Sequence, residues 1–294
     1  MRVHPLSGLL VAAGVAVFLG LWATSTRAAW DPLEIFTPGE RVGVVEITGV
    51  ISSSMHKLED LKKFREDPSI RAIVVRINSP GGAVGPSQEI MEEINKTKKV
   101  KKVIASCGSL AASGGYYIAS AADLIMANPG TATGSIGVIM QLANVEDLTK
   151  KLGVNFYDIK AGALKDMGSP FKPMTPEEKA VFQSLLDNIH DQFINDVAKN
   201  RKLPVDKVRS LATGQVYTGQ EALKLGLVDA MGNFNDAVEK AGQMGGIKGK
   251  VKTVFPEKRG FSLLKLLLGT DAESPLDFLT RPYPQPAFLP PWFH

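Results

Sequence analysis

Three apolar runs rich in β-branched residues lie in the first half of this chain: VGVVEITGVI from Val42, AIVVRI from Ala72 and KVIA from Lys102. Runs this uniformly apolar belong to strands covered on both faces, as in parallel sheets flanked by helices. Segments with helical character separate them. MHKLEDLKKFRED sets Leu58, Leu61 and Phe64 on one face, and a second helix is expected over Ser87–Lys98. Further on, DLIMANPGT and TGSIGVIMQ supply short apolar runs punctuated by glycine. VEDLTKKLG reads as helix and VNFYDIK as another strand. Repeated strand–helix units argue for an α/β fold with a largely parallel sheet.

The longest helix signal begins at MTPEEK. Thr175 and Glu178 have capping-box spacing, Pro176 suits the first turn, and Val181, Leu185, Ile189, Phe193 and Val197 form an i, i+4 stripe. His190 lies beside that stripe and reads as a partly exposed helix histidine. The globular domain is expected over residues 41–247. Residues 248–294 form a tail, first basic and apolar, then proline-rich in RPYPQPAFLPPWFH. Proline lacks an N–H donor and disfavours helix before it, so this stretch either stays mobile or docks as an extended ligand, for which a neighbouring protomer is the expected host.

Residues 1–7 form a short polar start, 8–24 an uncharged apolar stretch and 25–40 a linker carrying Pro32, Pro38 and Gly39. The apolar stretch is near the lower length limit for spanning a bilayer and reads as a retained anchor, with a cleaved signal peptide as the competing reading. Net charge is only +4, with no basic block interleaved with aromatics, so no nucleic-acid partner is expected. The single cysteine, Cys107, excludes an intrachain disulfide and any multi-cysteine metal site. Neither a metal nor a cofactor is expected.

Candidate chemistry centres on Ser106–Tyr117, SCGSLAASGGYY, where small residues crowd the hydroxyl of Ser113. Ser113 falls where a buried strand gives way to a short Ala-rich helix, a turn that exposes N–H groups suited to an oxyanion. Gly114 offers one such donor. NSPGG at the end of the second strand offers another, the Gly82 amide, at the strand C-terminus where ligands gather in α/β sheets. A nucleophilic serine also needs a base. Of the four histidines, His4 and His294 lie at the chain ends, which leaves few candidates for a histidine base. A lysine can serve where an apolar pocket disfavours its charged form. Lys165 in AGALKDMGSP has small and apolar neighbours, with Lys160 as the nearest alternative.

NSPGG, ASGGYY, TATGSIGVI and KDMGSP, in this order, resemble the signal peptide peptidase A family of membrane-bound serine peptidases in its short, single-copy form. The resemblance covers about residues 42–246. It implies a ClpP/crotonase-like fold of repeated β-β-α units behind one N-terminal transmembrane helix. It also implies Ser113 as nucleophile, Lys165 as general base, Ser135 as the serine that orients the lysine, and Gly82 and Gly114 as oxyanion donors. Val138 stands where the histidine-dependent ClpP arrangement carries its base. The implied substrates are cleaved signal peptides or other membrane-associated peptides, degraded through an acyl-enzyme by a ring-like homo-oligomer. The implied location is the bacterial inner membrane, with the catalytic domain on the extracytoplasmic side and the anchor in lipid. A crotonase-like acyl-CoA enzyme and a catalytically idle membrane scaffold are the competing readings.

Overall fold

The computed structural model describes residues 39–257 and 287–288. All but Gly39 fall in the second of the chain's two units, Glu40–His294. The expected anchor at 8–24, most of the linker and most of the tail lie outside the described residues. No helix among the described residues is long and apolar enough to cross a membrane.

Strands β1 (Arg41–Ile51), β2 (Ile70–Ala83) and β3 (Lys102–Ala112) run parallel, side by side. Helices α1 (Met55–Glu66) and α2 (Val84–Thr97) are the crossovers between them. Successive residues of each strand feed opposite faces. Ile73, Val75 and Ile77 join Leu61, Ile90 and Phe193 in the larger core, whereas Ala72, Val74 and Ile104 join Ala237, Val238 and Ala241 in the smaller one. That double coverage explains why the three runs carry so little polar alternation.

β3 forks the sheet. Its first half pairs with β4 (Leu124–Ala127) and its last three residues pair with β5 (Ala132–Gly134), both parallel. Between β3 and β4 lies the short helix α3 (Gly114–Ser120). The chain continues through α4 (Glu146–Lys151), α5 (Pro176–Arg201) and α6 (Val205–Leu211). Then come β6 (Val216–Thr218), antiparallel to β5, α7 (Gly219–Leu225), β7 (Ala230–Met231), parallel to β4, and α8 (Phe234–Met244), which covers the smaller core. The result is a mixed α/β fold with a largely parallel sheet.

The α5 capping box forms as expected. Thr175 Oγ1 accepts from the Glu178 amide at 3.2 Å, and Glu178 Oε2 accepts from the Thr175 amide at 3.1 Å. Only the second half of its apolar stripe is buried, at Ile189, Phe193 and Val197; Val181 and Leu185 face solvent.

Two expectations are corrected. VNFYDIK is not a strand: residues 154–160 are irregular, with Tyr157 85% and Ile159 103% exposed. Both sides of β5 are already taken, by β3 and β6, so no pairing edge is left there for it. The sheet also extends past residue 247. β8 (Lys252–Val254) pairs parallel with β1, and β9 (Ala287–Phe288) pairs antiparallel with the end of β2.

Candidate active site

Ser113 is the hinge between β3 and α3, and its backbone is strained. Its φ of 53° and ψ of −116° lie outside the regions a residue with a side chain ordinarily adopts. Such a conformation costs about 1–3 kcal/mol and persists only where surroundings enforce it. Two bonds enforce it here: the Ser113 amide donates to the Gly134 carbonyl, and the Ser113 carbonyl accepts from the Tyr117 amide, both at 2.8 Å. The side chain is fully buried, and Oγ has no hydrogen-bond partner. A buried hydroxyl without a partner costs roughly 1–3 kcal/mol, a deficit that a substrate group or a base could remove.

The glycine turn of β2 lies directly against this hinge. A methyl group built on Gly114 would come within 3.2 Å of Gly81 Cα and 3.3 Å of the Gly82 nitrogen. The backbones of Gly82 and Gly114, the two expected oxyanion donors, therefore lie close together. Glycine is required on both sides of the contact. A Cβ at Gly82 would lie 2.2 Å from the Ile51 carbonyl oxygen, and one at Gly114 would lie 2.7 Å from Ser87 Oγ. Ser79 holds the turn in shape: its hydroxyl donates to the Gly49 carbonyl at 2.7 Å and accepts from the Gly81 amide at 3.1 Å. Ser135 also belongs to this neighbourhood. It follows the Gly134 carbonyl that binds the Ser113 amide, shares the φ of 53°, and is 2% exposed. Its Oγ donates to the Gly214 carbonyl at 3.3 Å.

Residues 95–248 match the description of peptidase family S49, more than half of the chain. A Synechocystis protein described provisionally as a protease is 42% identical over 239 residues, covering 80% of this chain and 85% of its own length. The chain belongs to peptidase family S49. It is a serine peptidase of the signal peptide peptidase A type. A chloroplast serine protease of Arabidopsis thaliana is 33% identical over 255 residues, covering 84% of this chain and 38% of that longer protein. Among solved structures, a membrane-bound stomatin-specific protease aligns with 74% of this chain and 97% of its own, at a TM-score of 0.47 and 19% identity.

Within this S49 peptidase the structure brings Ser113, Ser135, Gly82 and Gly114 together and leaves Lys165 apart. Lys165 is exposed on the excursion between α4 and α5, and Ser113 Oγ accepts no bond from it. Lys160, the alternative base, is committed elsewhere. It donates to Asp166, which also pairs with Lys172 at 2.9 Å, and Lys172 reaches Glu178. Lys160 and then Lys172 hold the Asp166 carboxyl down at about 2. Among the described residues Lys165 has no ion pair.

Other parts of the site carried no local signal. Tyr117 packs edge-on against Phe193 with ring centroids 4.7 Å apart, giving an aromatic wall one turn beyond Ser113. Its hydroxyl donates to Asp196, and burial pushes that hydroxyl well above its ordinary range. The spacing of GGYY placed Tyr117 on the helix after Ser113, but nothing paired it with Phe193. Ser79 was legible only as part of NSPGG. Cys107 is fully buried in β3, and burial pushes its thiol up to about 12, as befits an inert core residue. Among the described residues no cluster of His, Cys, Asp and Glu could hold a metal ion.

Proposed function

We propose that this chain is a membrane-anchored endopeptidase that degrades remnant signal peptides with a Ser113 nucleophile and a Lys165 general base. The observation that carries the reading is Ser113 itself: a strained residue with a buried, unpartnered hydroxyl, followed by Gly114, whose backbone packs closely against Gly81 and Gly82. In the proposed reaction the Lys165 amine takes the hydroxyl proton as Ser113 Oγ attacks the scissile carbonyl. The amides of Gly82 and Gly114 then stabilise the oxyanion, an effect worth about 10²–10³-fold per donor in comparable enzymes. Lys165 returns the proton to the departing amine, and water hydrolyses the acyl-enzyme. Ser135 would accept a hydrogen from the lysine and aim its lone pair.

This mechanism requires Lys165 to reach Ser113, and the segment that carries it is built to pack. Leu148, Leu152, Phe156, Tyr157 and Ile159 are all exposed near it, more apolar surface than a solvated loop needs. Its burial in a ring of identical chains would press the segment inward and desolvate the lysine. The apolar stretch at 8–24 would hold the domain on the extracytoplasmic side of a bacterial inner membrane, within reach of cleaved leaders. The ClpP/crotonase-like description of the fold belongs to this same reading.

The test is a panel of synthetic signal peptides and charged, non-leader control peptides presented to the full chain in detergent micelles, with products read by mass spectrometry. Cuts within the apolar cores of the leaders, and few in the controls, are expected. Equal cutting of both sets would refute the substrate assignment.

A further inference from the structure

We propose that the turn at residues 212–215, which joins α6 to β6, is a positioning element of the peptidase site, and that the Gly214 carbonyl makes Ser135 an acceptor by taking its only proton. The inference rests on the reading that Ser135 orients a lysine base, and it assigns the group that orients Ser135.

A hydroxyl carries one hydrogen and two lone pairs, whereas a carbonyl oxygen can only accept. The bond between Ser135 Oγ and the Gly214 oxygen, 3.3 Å long, therefore has one possible direction. With its hydrogen committed there, Ser135 can only accept from a further partner. A free hydroxyl could instead turn and donate to the lone pair of a neutral amine, the lone pair that has to face Ser113. The Gly214 carbonyl removes that competition.

At 3.3 Å the bond is long for a hydroxyl donor, so its aim depends on how firmly the backbone behind it is held. The Ser135 amide donates to the Gln215 carbonyl at 2.8 Å, and the Gly214 amide donates to the Ile136 carbonyl at 3.0 Å. β6 begins at the next residue and pairs with β5, setting Val216 opposite Gly134. Tyr217 braces the turn. Its ring lies against Gly134, where an added Cβ would meet Cδ2 at 2.7 Å, and its hydroxyl donates to the Leu211 carbonyl at 3.3 Å.

Backbone bonds thus close the turn without help from the Ser135 side chain. Ser135 is 2% exposed and holds a φ of 53°, where glycine would be less strained. Among the described residues, the other side-chain-bearing positions with positive φ are Ser113 and Lys202, and Lys202 is the left-handed cap of α5. The two strained positions outside helix caps are therefore the proposed nucleophile and the residue whose hydrogen Gly214 holds. Gly134 links them, since its carbonyl accepts from the Ser113 amide. Gly214 itself has a φ of 80°, and nothing lies within 4 Å of a Cβ built on it. Alanine there would strain the backbone that aims the carbonyl without a steric clash.

The experiment measures kcat and KM against pH for the full chain in detergent micelles on a fluorogenic peptide, with Tm alongside. Gly214→Ala should lower kcat about tenfold, a part of the 10²–10⁴-fold that a general base supplies, and leave KM unchanged. A Ser135 hydroxyl released to donate to the amine favours its neutral form. The pH of half-maximal activity should therefore fall by about half a unit, a change of about threefold in the protonation equilibrium. Asparagine tolerates positive φ better than alanine, so Gly214→Asn should recover most of the lost kcat. With Ser135→Ala already present, Gly214→Ala should change neither kcat nor the profile further, because residues acting as one unit are not additive. Should Gly214→Ala fail to fold, Gly137→Ala presses on the same turn from the other side, its Cβ 3.3 Å from Gly214 Cα, and should move the profile in the same direction. An unmoved profile in the folded variant, no recovery with asparagine, or an equal loss with and without the Ser135 hydroxyl overturns the proposal. Lys165→Ala with parental turnover contradicts the lysine base and overturns this inference with it. Background turnover by Lys165→Ala, together with an unmoved profile in Gly214→Ala, overturns this inference alone.

Discussion

Replacing Gly82 by alanine should damage catalysis far more than its one methyl group suggests. The new Cβ would sit 2.2 Å from the Ile51 carbonyl oxygen, 2.7 Å from its carbon and 2.5 Å from the Ile51 nitrogen. All three are backbone atoms of the paired strand β1, so no flexible side chain can yield. Relief requires β2 to draw back from β1 by most of an ångström, which moves the Gly82 amide relative to Ser113. Overpacking of this kind costs about 1–3 kcal/mol of stability, or about 2–12 °C in Tm for a domain of this size. Loss of one oxyanion donor costs about 10²–10³ in kcat, about 2.7–4 kcal/mol. The assay is kcat on a fluorogenic peptide alongside Tm by calorimetry, with Gly130→Ala as control because nothing lies within 4 Å of a Cβ there. A Gly82→Ala enzyme with kcat within about threefold of the parent, less than 1 kcal/mol of barrier, would refute the reasoning.

Further outcomes are expected elsewhere. Thr175→Ala removes the hydroxyl that caps α5 and should cost about 1 kcal/mol, read as a lower urea midpoint with an unchanged slope. Cys107, fully buried and with its thiol raised to about 12, should resist alkylation at pH 8 in the native chain and react fully in denaturant. Asp166 has its folded value depressed from 3.8 to about 2, so the support it gives to the segment carrying Lys165 is complete above about pH 4 and lost as pH falls toward 2. Pepsin cleavage between residues 152 and 175 should rise across that window in the parent and show no such rise in Asp166→Asn.

What was legible in the sequence is what local chemistry dictates. The continuous apolar runs at Val42, Ala72 and Lys102 admit only doubly covered strands, and each became one. The crowding of glycine and alanine around Ser113 announced a tight strand-to-helix turn, and the structure places Ser113 there with a positive φ. Contacts decided by distant partners were not legible. VNFYDIK has the composition of a strand, but β6 had already closed the available side of β5. Val181 and Leu185 continue the stripe of α5, but the helix runs beyond its core there and exposes them. β8 and β9 are too short to carry a pattern of their own. They form because β1 and the end of β2 present open edges to them. The placement of Lys165 relative to Ser113 is a tertiary matter of the same kind, since no local pattern fixes where a long excursion folds back.

Peptide turnover by the full chain, compared among the parent, Ser113→Ala, Lys165→Ala and the double variant, tests the central claim most directly. The account predicts near-background rates for both single variants. The double variant should be little worse than either, because members of one catalytic unit are not additive. General-base help is worth about 10²–10⁴-fold, so a folded Lys165→Ala enzyme keeping more than about a tenth of parental kcat would contradict the dyad. Undiminished turnover by Ser113→Ala would contradict the account as a whole.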